Sequence, residues 1–166
     1  MGATLNCSPW WIVYSDMEIN GLPLHALVVH GAVVFGPLSA LGGLLYAAVP
    51  AWRDRLRWPF AAVLVIAVGA IWVAYLSGAD VEEANGPYTG EFGDLFQTHE
   101  DRAQVLRWVA SGFGVVGLAA AWWHTRTGAV RAALLGLTAV GAVVTGVYVV
   151  LTGDAGAQLA WYGVES

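Results

Sequence analysis

His25 and His30, five residues apart, and His99, further along, are three of the four histidines in a chain of 166 residues. A neutral imidazole offers a lone pair to iron, copper or zinc, so these are the side chains best suited to hold a cofactor. Carboxylates accompany them: Glu100 adjoins His99, and Asp80 and Glu83 lie upstream. Arg107 follows Glu100 and Gln104 on one helical face, and Tyr75 and Tyr148 fall at comparable depth in neighbouring segments. Three chemistries compete. Two of the histidines can ligate haem b, as bis-histidine pairs do in helical bundles. Histidine and carboxylate together (His25, His30, His99, Asp80, Glu83, Glu100) can hold a non-haem metal ion. The same groups can also form an interhelical hydrogen-bond network that binds nothing. No nucleophile elbow, phosphate loop or paired-histidine protease motif accompanies them, and no catalytic residue is assigned.

Hydrophobic residues make up 58% of the chain and charged residues 11%, with 21 Gly and 9 Trp. A water-soluble domain carries about 25% charged residues, so the bilayer is the expected solvent. Four apolar stretches predict helices over 24–49, 58–79, 98–124 and 131–152, each near the ~20 residues needed to cross ~30 Å of hydrocarbon. Thr98 and Asp101 fit a capping box that starts the third helix. The expected fold is all-α: a single four-helix transmembrane bundle with a short extracytoplasmic cap built from the connection 78–97.

Orientation follows from the arginines, since the chain has seven Arg and no Lys. Arg53, Arg55 and Arg57 lie between helices 1 and 2, and Arg126 and Arg131 between helices 3 and 4, so these loops are expected in the cytoplasm and both termini outside. The net charge of −5 argues against a nucleic-acid partner. Cys7 is alone and cannot form an internal disulfide. Residues 1–20 lack Lys and Arg and hold Asp16 and Glu18, unlike a secretory leader.

Most Trp falls near expected helix ends (Trp10, Trp11, Trp52, Trp58, Trp122, Trp123, Trp161) and reads as interfacial anchoring. His124, beside Arg126, is read the same way. Gly112, Gly114, Gly117, Gly136, Gly141 and Gly146 read as interhelical seams. Pro37 should remove one backbone hydrogen bond from helix 1. Regular helical geometry puts His30 about 7.5 Å deeper than His25 and turned by about 140° from it. Arg107, inside the outer boundary, needs a carboxylate or propionate partner or must snorkel. The glycine-rich stretch from Gly153 to Gly163 is expected as an extracytoplasmic turn.

The segment from Gly21 to His30, GLPLHALVVH, resembles the opening of a bacterial four-helix membrane family, domain of unknown function 2231. His99 in THEDRA resembles that family's later histidine, and GDAGAQLAWYGV its C-terminal segment. Ala26 and Gly31 stand where the family usually has proline and phenylalanine, and Tyr162 where many members have histidine. The resemblance implies a multi-pass protein of the bacterial cell membrane and, through neighbouring cytochrome c-like modules, a redox role. Two functions are therefore expected in competition: a redox module or redox-complex subunit binding haem b or a metal, and a cofactor-free accessory subunit of a larger membrane complex. Both have the lipid bilayer and other membrane subunits as partners.

Overall fold

The computed structural model describes residues 18–19, 22–85 and 87–162, with the side chains of 18–19, 22–24, 26–27 and 80–85 outside the description. A two-residue antiparallel pair, β1 (Glu18–Ile19) with β2 (Leu22–Pro23), leads into four helices: α1 (Leu24–Ala48), α2 (Arg53–Asn85), α3 (Gly90–Trp122) and α4 (Ala129–Trp161). The helices alternate in direction. Helix α1 packs on α2 and α4, and α3 packs on the same two, which closes a four-membered ring.

The fold is all-α and spans the membrane as expected, but three of the helices are longer than hydropathy predicts. Each has 33 residues, about 50 Å at 1.5 Å per residue, against ~30 Å of hydrocarbon. The connection expected as an extracytoplasmic cap is therefore mostly helix, supplied by the end of α2 and the first turns of α3. Thr98 is not an N-cap: it lies inside α3, and its hydroxyl donates to the Asp94 carbonyl at 2.8 Å. The expected C-terminal turn is helical too, since α4 continues through Gly153 and Gly156 to Trp161. Helix α1 runs unbroken through Pro37, and α2 through Pro59.

All four helices are long and apolar enough to cross a bilayer. Large apolar side chains face outward, Val115 72% and Val150 67% exposed among them, which places lipid around the bundle. Close approach between helices is built on glycine. A Cβ at Gly43 would lie 2.7 Å from the Phe113 ring, and one at Gly141 would lie 3.0 Å from it. Gly117 is pressed against Leu64 and Phe60 in the same core. Gly114 and Gly146 also face neighbouring helices, whereas Gly112 and Gly136 meet nothing within 4 Å and are not seams. Gly43→Val is expected to lower stability by about 1–3 kcal/mol, because Phe113 has no room to move. Thermal unfolding in detergent reads this directly, and an unchanged midpoint would show that the core is loosely packed.

Two ends of the bundle differ in chemistry. At the arginine end, Arg53 donates to the carbonyls of Tyr46 and Ala47 and so satisfies the end of α1. His124 is more than an interfacial residue there. Its Nε2 bonds Asp54, and its Nδ1 lies 3.1 Å from the Tyr46 hydroxyl, which itself donates to the Ala120 carbonyl. The opposite end carries His25 and His99.

Candidate functional site

His25 stands at the start of α1 and His99 in the third turn of α3, and each is held by the next helix in sequence. The Nδ1 of His25 is 3.1 Å from the Ala74 carbonyl and 3.0 Å from the Ser77 hydroxyl, both on α2. The Nδ1 of His99 is 3.0 Å from the Thr152 carbonyl on α4. A carbonyl only accepts, so each ring carries its hydrogen on Nδ1 and keeps its lone pair on Nε2. This is the orientation that backbone carbonyls impose on metal-ligating histidines.

Glycine makes room for both rings. A Cβ at Gly78 would sit 3.2 Å from His25 Cε1, and one at Gly156 would sit 3.1 Å from His99 Cε1. Gly78 lies four residues after Ala74, and Gly156 four residues after Thr152, so the two seats repeat one design: a carbonyl that accepts, then one turn later a gap for the ring.

Both rings line one cavity of about 490 Å³, to which all four helices contribute. Ile71, Leu106 and Val149 form its buried apolar floor, and Phe96 and Ala103 contribute from α3. His30 lines the same space from α1, with its side chain exposed. A smaller recess of about 80 Å³ brings Glu100 and Tyr75 beside His25 and His99. All three outer histidines, Glu100 and Tyr75 therefore meet at one end of the bundle.

The remaining candidates fall elsewhere. Asp80 and Glu83 have side chains outside the described residues. Among the described residues, no three of His, Cys, Asp or Glu are grouped to hold a metal ion. Tyr148 packs against the apolar cluster of Ile71, Leu106, Ala110 and Val149 beneath the cavity. Tyr162 is exposed and meets the Phe92 ring at 5.3 Å. Arg107 does not take the expected anionic partner among the described residues. Its guanidinium sits 3.9 Å from the centre of the Tyr75 ring and 5.3 Å from those of Trp72 and Trp108, while its buried Nε meets no hydrogen-bond partner among the described residues. Trp72 is fixed in that box by its bond to the Ser111 hydroxyl at 2.9 Å. The aromatic faces stabilise the cation where water is scarce.

The sequence did not point to Ala74, Thr152, Gly78 or Gly156. Two of these act through backbone carbonyls, which carry no side-chain signature, and the glycines gain meaning only once the helices are known to extend past them.

His25 precedes the apolar span of α1, Val28–Ala48. Burial lowers its pKa from the usual 6.5, against the hydrogen bond to Ala74, which pulls upward. A depressed histidine is neutral when folded, so its stabilising contribution is complete above the unfolded value of 6.5 and is lost as acid protonates the unfolded chain preferentially. The unfolding midpoint is expected to fall between about pH 8 and about pH 5, and to fall less in His25→Asn. Equal slopes in the two proteins would remove His25 from the account.

No curated protein and no solved structure matches the chain. The model of a family described as a predicted membrane protein, DUF2231, matches residues 21–165, a range that takes in all four helices and both histidine seats. With nearly the whole chain matched, the protein belongs to the DUF2231 family of membrane proteins.

Proposed function

We propose that the protein is a membrane redox module holding haem b between His25 and His99. The observation that carries this reading is the pair of seats: two imidazoles from different helices, each with Nδ1 occupied by a carbonyl and Nε2 left to coordinate, lining one largely apolar cavity. The donor set suits haem better than a non-haem ion. A macrocycle takes two axial ligands from the protein, whereas a non-haem ion draws on three or more. A volume of about 490 Å³ lies within the range of cofactor sites.

When bound, haem supplies one-electron exchange. The chain's own residues do the rest. Ala74, Ser77 and Thr152 fix the tautomer and plane of each ring, and Gly78 and Gly156 let the rings stand against the helix backbone. Ile71, Leu106 and Val149 exclude water from below. Arg107, behind Tyr75, adds positive charge that favours the more electron-rich state of whatever the cavity holds. The arginine end faces the cytoplasm of a bacterial cell in this reading, with both termini outside.

Each Nδ1 bond also ties two helices together, which favours a second reading, a cofactor-free accessory subunit whose histidines are structural. Iron and extractable haem per chain, measured on detergent-purified protein expressed with haem supplied, separate the two. One iron and one haem per chain is expected. Stoichiometric copper or zinc would move the site to a non-haem ion, and no metal at all would favour the accessory subunit.

A further inference from the structure

The positive charge at the arginine end is not balanced from within the chain. Arg53, Arg55, Arg57, Arg126 and Arg131 gather there, whereas Asp54 is the only carboxylate in residues 19–79 and 102–153. The Oδ1 of Asp54 is already bonded to His124 Nε2. A guanidinium does not shed its charge, so the remaining cations call for an anion from outside the chain.

Three of these cations converge on one point. The charges of Arg53 and Arg57 on α2 and of Arg131 on α4 all act on the Tyr46 hydroxyl of α1. Arg131 makes no hydrogen bond or ion pair among the described residues, and the buried Nε of Arg57 meets no partner among them. A recess of about 10 Å³ lies here, lined by Tyr46, Arg53, His124, Arg131, Leu134 and Leu135 among others. That is room for one water-sized atom, such as a single oxygen of a phosphate whose other oxygens stay at the surface.

The depth of the recess selects the source of the phosphate. Tyr46 lies two residues from the end of the apolar span Val28–Ala48, and Trp52, Trp58, Trp122 and Trp123 are exposed around the same end. The recess therefore sits at headgroup level. Next to it, α4 turns Val130 and Leu137 outward, an apolar track for acyl chains. A basic recess between helices with apolar surface beside it matches an anionic phospholipid better than a free ion.

We infer that the recess seats the phosphate of an anionic membrane lipid, held by Arg53 and Arg131 from two helices that lie diagonally across the ring. The lipid stabilises the bundle by binding the folded state and joining α2 to α4. This site is independent of what His25 and His99 hold.

The test is native mass spectrometry of the detergent-purified protein titrated with phosphatidylglycerol, with phosphatidylcholine and with inorganic phosphate. Thermal unfolding of the same samples is the second readout. Wild type is expected to retain one phosphatidylglycerol at least about tenfold more tightly than phosphatidylcholine, as a charge-assisted Arg–phosphate pair requires, and to unfold at a higher temperature with it. Arg131→Gln has no hydrogen bond to lose, so it should fold, yet lose both the preference and the thermal shift. Arg126→Gln, exposed and outside the recess lining, should bind within about twofold of wild type. Equal retention of the two lipids by wild type would overturn the inference. So would equal losses in Arg126→Gln and Arg131→Gln, which mark a diffuse attraction, and inorganic phosphate that raises the unfolding midpoint as much as the lipid, which marks a free-anion site.

Discussion

His25→Ala and His99→Ala are each expected to abolish stoichiometric haem while the protein still inserts and folds. Removal of either imidazole would leave the proposed haem without one of the two rings that are held in place by backbone carbonyls, so occupancy should fall to below about a tenth of wild type. The loss in stability should be smaller than the loss in loading. Each ring contributes one neutral hydrogen bond, about 0.5–1.5 kcal/mol, out of a bundle held mainly by glycine-mediated contacts between helices. Pyridine-extracted haem and size-exclusion behaviour, measured on the same sample, read the two effects separately. Unchanged haem in both variants would exclude the pair as ligands.

Gly156→Val is expected to have the next largest effect. A Cβ at this position would already lie 3.1 Å from His99 Cε1 and 3.4 Å from Nδ1, and a β-branched residue adds a methyl group in each direction. The ring must turn away, its bond to the Thr152 carbonyl breaks, and Nε2 would no longer point into the cavity where the proposed haem would sit. Loading should drop by about tenfold or more, the cost typical of losing the partner that orients a ligand. Gly136→Ala, on the same helix and outside the cavity lining, is the control, because its new methyl group meets nothing within 4 Å. Haem content near wild type in Gly156→Val would show that the seat does not orient His99.

The number of helices, their alternation and the grouping of His25, His30, His99, Tyr75 and Glu100 at one end were legible in the residues, because hydropathy reports where lipid lies. Helix length was not. Segments such as Gly90–Gln97 and Gly153–Trp161 are too polar or glycine-rich to register as apolar runs, yet they continue helices already nucleated in the membrane, where extension costs little. Reading Thr98 as a cap failed for a related reason: a hydroxyl that caps a helix start can equally bond the carbonyl four residues back inside one.

Helix rotation was the other hidden quantity. Gly117 and Gly141 face partners while Gly112 and Gly136 face open space, and spacing along one helix cannot tell these apart. The same rotation brings His25 and His99 to one cavity and turns Arg107 onto Trp72, Tyr75 and Trp108. His124 was read as interfacial because its partners, Asp54 and Tyr46, lie 70 and 78 residues away.

The central claim is that the histidine pair holds a reducible haem, and a visible absorption spectrum of the detergent-purified protein, oxidised and then reduced with dithionite, tests it most directly. The account predicts a Soret band that shifts on reduction, with sharp α and β bands of a six-coordinate, low-spin b-type centre. A spectrum without a chromophore in both states, from protein expressed with haem supplied, would contradict it.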